Sequence, residues 1–168
     1  MAHKRKDDQS ALTLIDKARH DYPWAWELAR YEAELLRTTR GADAALPIVE
    51  EFTRNHWWHC GAFTALGRLF WEKGDSVRAE GALHHASWLD VHDTEALSAL
   101  AVLRMQQNRL EDAFQTQRRV VSRQPDEPRS YLLLSTILEK LGRTAEAQAA
   151  ISQVSHLKAL AEAQPVAD

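Results

Sequence analysis

Apolar residues along this chain recur at intervals of three and four. Phe63, Leu66 and Phe70 make one such stripe, Leu134 and Leu138 a second, and Ile151, Val154, Leu157 and Leu160 a third. This spacing gathers apolar side chains on one face of a helix and leaves the intervening polar residues to water. Between the stripes stand Gly74, Asn108 and Gly142, each 34 residues from the next. The two glycines can take the positive φ that ends a helix. Asp75 and Thr144 follow them, with oxygens able to accept from the free N–H groups at the start of the next helix. Five residues beyond each turn marker comes a small residue, Ala79, Ala113 or Ala147, and the same register runs back to Ala45 and Ala11. A further series at the same interval reads Pro23, Trp57, Val91, Pro125 and Ala159. The pattern predicts an all-α chain built from helix hairpins, opened by a lone helix over about residues 8–21.

A hairpin of this length cannot bury its own apolar face, so neighbours must stack. The register resembles the tetratricopeptide repeat. Residues 60–93 carry the clearest copy, with Phe63, Leu66, Gly67, Phe70, Gly74, Ala79, Leu83 and Ala86 at the repeat's characteristic places. Residues 94–127 supply Leu97, Leu100, Ala101, Ala113, Val120 and Pro125, and residues 128–161 supply Tyr131, Leu134, Ser135, Leu138, Gly142, Ala147 and Ile151. Residues 26–59 depart most. Arg40 falls where the turn glycine belongs, beside Gly41, and Ala29 and Glu32 replace the usual large residues. Ala11, Ile15, Ala18 and Pro23 fit the second half of a repeat over 8–25. The resemblance implies a right-handed α-solenoid of about four repeats plus one N-terminal helix. Residues 1–7 read as a frayed, disordered lead-in and 162–168 as a tail.

Composition narrows the function. The net charge is −3 with histidines neutral, whereas a nucleic-acid scaffold usually carries a basic excess, so no nucleic-acid partner is expected. Apolar runs fall short of the ~18–20 residues a membrane span needs. The basic start, Lys4-Arg5-Lys6, has no apolar stretch after it and does not read as a secretory signal. Cys60 is the single cysteine, which excludes an internal disulfide and fits a reducing, cytoplasmic setting.

By resemblance, the first helix of each repeat lines a concave groove that holds a partner protein or peptide. The family's groove positions fall on Glu27, Arg30, Glu34 and Arg37, on Thr64, Arg68, Trp71 and Glu72, on Ser98, Val102, Met105 and Gln106, and on Arg129, Leu132, Thr136 and Lys140. Arg68 and Trp71 are the expected centre, flanked by Arg30 and Met105, because arginine and tryptophan dominate binding hot spots. The competing reading has Trp71 packing on a neighbouring repeat. Family members that clamp a C-terminal carboxylate use Lys and Asn at two first-repeat positions. Here Arg30 and Glu34 stand there, so that mode is not expected.

Other signals point elsewhere more weakly. His56, His59 and Cys60 stand at i, i+3 and i+4, with His84, His85 and His92 later. Such residues can ligate zinc or copper, but the spacing matches no closed zinc site, and histidines at repeat junctions are the preferred reading. Trp57 and Trp58 suggest a stacking platform. With Trp24 and Trp26, however, they fall at repeat junctions, where packing is expected. No phosphate loop, His-Glu-x-x-His or Gly-x-Ser-x-Gly motif occurs, so neither catalysis nor a cofactor is expected. The stripe from Ile151 to Leu160 has no later repeat to cover it, which suggests either a segment of a longer array or a homodimer through this helix. The leading expectation is an interaction scaffold. The alternative is a regulatory or substrate-recruiting segment of a larger enzyme or secretion-assembly protein.

Overall fold

The computed structural model describes residues 2–163, with side chains from 7 to 162. Among the described residues there are nine helices and no strand, as the apolar periodicity predicts. The chain divides into two compact units between Asp90 and Val91.

The first unit holds α1 (Ala2–Asp21), α2 (Trp26–Arg40), α3 (Ala42–Asn55), α4 (Cys60–Glu72) and α5 (Ser76–Leu89). The second holds α6 (Thr94–Gln106), α7 (Leu110–Arg123), α8 (Pro128–Lys140) and α9 (Thr144–Ala163). First helices therefore begin at residues 26, 60, 94 and 128 and second helices at 42, 76, 110 and 144, one interval of 34 throughout. The α1 helix starts at Ala2 and takes in residues read from sequence as a frayed lead-in. Most of the expected tail lies outside the described residues.

Three of the four hairpin turns are built alike. Gly74, Asn108 and Gly142 have φ of 79°, 60° and 74°. The following residue's N–H reaches back to the carbonyl of Phe70, Arg104 or Leu138, each at 2.9 Å, which satisfies a helix-end carbonyl. Asparagine is among the few side-chain-bearing residues that enter this region readily, so Asn108 serves where the others use glycine. The α2–α3 turn differs. The α2 helix continues to Arg40 and Gly41 alone, at φ 91°, separates it from α3.

In the first unit α2 pairs with α3 and α4 with α5, while α1 packs on α2 and α3 on α4. The α4–α5 pair is close. A Cβ on Gly67 would lie 2.6 Å from Leu83 Cγ and 3.2 Å from the Ala79 carbonyl oxygen. The α1–α2 contact includes an ion pair where the other repeats place leucine. Glu32 is 7% exposed, and Arg19 Nη1 donates to it at 2.6 Å while Nη2 reaches Glu51 at 3.1 Å. Burial of a carboxylate is tolerated because that guanidinium meets it.

In the second unit α6 pairs with α7 and α8 with α9, and α7 packs on α8. Its core gathers Ala101, Ala113, Phe114, Ile137, Leu138 and Ala147, with Met105, Leu133, Leu134 and Leu141 against them. Along α9 Val154 is buried, whereas Ile151 and Leu160 are exposed, so the C-terminal stripe is bare at only part of its length.

Candidate functional site

Apart from the buried Glu32, the first helices of the first unit turn their charged residues outward. On α2, Arg30 donates through Nε and Nη2 to Glu27 at 2.9 and 2.6 Å and lies over the Tyr31 ring. Two turns on, Arg37 donates through Nε and Nη2 to Glu34 at 2.9 and 2.7 Å. The remaining Arg37 nitrogen, Nη1, crosses to Glu72 on α4 at 2.8 Å. Hydrogen bonds from Arg37 hold the Glu34 carboxyl below its usual range, with the nearby charges of Arg68 and Arg30 adding to the effect. Arg37 in turn is raised, by Glu34 first and Glu72 second. Four expected site residues, Arg30, Glu34, Arg37 and Arg68, thus share one field on α2 and α4.

Other expected residues lie elsewhere. Trp71 is half-buried on α4. Met105 sits against the second unit's core, and Leu132 stands exposed on α8. Thr64 requires correction. It is 2% exposed, its hydroxyl donating to the Cys60 carbonyl at 3.2 Å, so it offers the outward face nothing. A small side chain bonded to its own helix fits inside where a longer one would project.

Of the four junction aromatics, three depart from the packing expected of them. Trp26 packs, with its ring 5.1 Å from Phe52 and 5.3 Å from His59. Trp24, Trp57 and Trp58 are 65%, 60% and 58% exposed. Phe52, Trp26 and Ile48 already fill the interior at this junction, and Trp57 and Trp58 instead meet each other edge to face at 5.8 Å.

The histidines weighed as ligands have other engagements. His56 stacks on Phe52 at 4.2 Å, and its Nδ1 lies 3.1 Å from the Phe52 carbonyl, to which it must donate. His59 caps α4, its Nδ1 accepting from the Ala62 N–H at 3.2 Å. Burial lowers the His59 pKa, the His56 charge acting in the same direction and Glu27 against it. His84 is exposed on α5. Among the described residues no three His, Cys, Asp or Glu side chains gather in a metal-binding group, and no helix is long and apolar enough to cross a membrane.

One residue of interest escaped the sequence reading. Gln117 occupies the second-helix slot that Val49, Leu83 and Ile151 take in the other hairpins, and it is fully buried. The signal was present as a lone carboxamide in an apolar series.

Residues 128–158 match the tetratricopeptide repeat family model. No curated protein matches the chain in sequence. Among solved structures it is similar to a crystal structure of MamA, at 16% identity and TM-score 0.81 over 96% of this chain and 95% of that one. A MamA fragment from Desulfovibrio magneticus RS-1 is similar at 15% identity and TM-score 0.77, over 92% and 88%. YrrB, described as a TPR protein with an unusual peptide-binding site, is similar at 16% identity and TM-score 0.70, over 92% and 80%. At such identities the likeness is one of fold. The last hairpin thus matches the tetratricopeptide repeat, and the described helices share the fold of these solved structures.

Proposed function

We propose that the chain is a binding scaffold, without a reaction of its own, that holds a partner protein or peptide along the first helices of its hairpins. The observation that carries this reading is the charge array on α2 and α4, in which Arg37 joins Glu34 to Glu72 across two helices. Exposed ion pairs add only about 0–1 kcal/mol each to stability, so folding gains little from this arrangement. As a recognition surface it presents guanidiniums and carboxylates in fixed order, and a partner's charged groups would meet it by sharing or exchanging these exposed ion pairs. Trp71, next to Glu72 in the sequence of α4, is proposed to supply apolar area, and Leu132 and Met105 are proposed to add apolar contact in the second unit. The peptide-binding site ascribed to YrrB supports a binding role for this fold.

The test is selection of binders from a random peptide library on the full chain, followed by affinity measurement with Arg37→Glu, Arg68→Glu and Trp71→Ala variants. Each substitution is expected to weaken the selected peptides about tenfold or more, the cost of one hot-spot contact. Unchanged affinity in all three, with the helical circular dichroism intact, would overturn the reading.

A further inference from the structure

The second unit contains a pocket of about 380 Å³ whose lining includes Thr94, Glu95, Ser98, Gln117, Glu127 and Arg129. Gln117 is 0% exposed. A polar group buried without a partner is destabilising, so what meets each end of this carboxamide matters. The Nε2 end donates to the Ser130 carbonyl at 2.8 Å. A carbonyl can only accept, which fixes the amide's orientation. The Oε1 end, an acceptor, is buried and has no donor. The other unpartnered buried side-chain atom among the described residues, Arg123 Nη1, belongs to a residue outside the pocket lining.

The rest of the lining favours a donor as guest. Glu95 and Glu127 contribute two carboxylates against the single guanidinium of Arg129, and Thr94 and Ser98 contribute hydroxyls. One Glu127 oxygen accepts from the Arg129 N–H at 3.1 Å, capping α8. An ammonium or guanidinium carries several N–H groups and no acceptor, and it would answer both the negative balance and the orphaned oxygen. A carboxylate would meet two like charges, and a methyl group would leave Gln117 Oε1 unsatisfied.

We propose that this pocket receives the side-chain cation of a lysine or arginine on the bound partner. The inference rests on the partner-binding reading above and names one chemical feature of that partner.

The test uses the full chain, labelled with ¹⁵N, and blocked Ala-Ala-X-Ala-Ala pentapeptides in which X is lysine, arginine, norleucine or glutamate. The Gln117 side-chain amide and the backbone amides of Glu95 and Arg129 are followed by NMR. The lysine and arginine peptides should shift these resonances saturably, and the norleucine and glutamate peptides should bind at least tenfold more weakly. Gln117→Leu places in α7 the residue that α5 carries as Leu83, so the fold should survive, as circular dichroism would verify. It should weaken the lysine peptide about tenfold. No saturable shift, equal shifts from norleucine or glutamate, or undiminished binding to Gln117→Leu would each overturn the proposal. A silent pocket alongside library peptides that lose affinity to Arg37→Glu would remove this inference and leave the scaffold reading standing. A pocket that titrates while Arg37→Glu, Arg68→Glu and Trp71→Ala all bind the library peptides normally would do the reverse for the α2–α4 face.

Discussion

At the seventh position of its first helices the chain carries Glu32 and Leu66 in one unit, Leu100 and Leu134 in the other. In the second helices the contrast runs the opposite way, with Val49 and Leu83 in the first unit and Gln117 and Ile151 in the second. Each unit therefore places one polar side chain in a slot that its register makes apolar. The two are met differently. Glu32 is answered from within, by Arg19 of α1. Gln117 is answered at one end only. The register decides where a side chain goes, and burial then decides that a polar one must find a partner. Where the chain supplies that partner the group is structural, and where it does not there is room for a guest.

The comparison can be broken most sharply at Arg19. Replacing it with alanine strands a buried carboxylate, and the expected loss is about 3 kcal/mol, the scale for removing one partner of a buried pair. Urea unfolding would measure it. The double substitution Arg19→Met, Glu32→Leu makes the first unit resemble the second and should recover most of that loss. Retained stability in Arg19→Ala would show that the pair is not needed.

A smaller effect is expected at the eighth position, which reads Ala33, Gly67, Ala101 and Ser135. Only the α4–α5 pair requires glycine there. Gly67→Ala drives a methyl into buried Leu83, and overpacking of this kind costs about 1–3 kcal/mol. Better helix propensity returns up to about 1 kcal/mol. A net loss of about 0–2 kcal/mol, read from urea unfolding, is expected, and a gain would mean that α4 and α5 can separate freely.

The smallest effect concerns the caps. His59 and Asp93 hold the same place before α4 and α6. The folded chain lowers the His59 pKa, so the unfolded chain binds that proton more readily. This contribution to stability is complete above pH about 6.5, the ordinary histidine value, and is lost as pH falls toward the lowered folded value. His59→Asn keeps an acceptor at the cap and should flatten the dependence of the urea midpoint between neutral pH and mild acid. An unchanged slope would assign the dependence to other groups.

Much of the fold could be read from the residues. Gly74, Asn108 and Gly142 marked the turns because positive φ admits few residue types, and all three adopt it. The small residues Ala79, Ala113 and Ala147 marked close helix approach, and all are buried. The α2–α3 turn was less legible, since helix propagation through Arg40 depends on Gly41 closing the turn alone. Arg30, Glu34, Arg37 and Arg68 were singled out by the groove positions that the resemblance implies, while the bridge from Arg37 to Glu72 across two helices came from the structure. Thr64, Trp57 and Trp58 did not follow, because repeat position says nothing of side-chain length or of an interior already filled by Phe52 and Trp26. The partner of Glu32 was out of reach for the same reason that long-range contacts generally are, lying thirteen residues upstream in another helix.

The uneven placement of indole rings has a practical consequence. All six tryptophans fall between Trp24 and Trp88, and four of them, Trp24, Trp57, Trp58 and Trp88, already face water in the native state. Tryptophan emission from this protein is therefore expected toward the red before any denaturant is added, and it reports on residues 1–90 alone. Far-ultraviolet dichroism counts helices on both sides of Asp90. Curves from the two probes that part company would mean that the two units melt separately, and curves that coincide would make the array a single cooperative block.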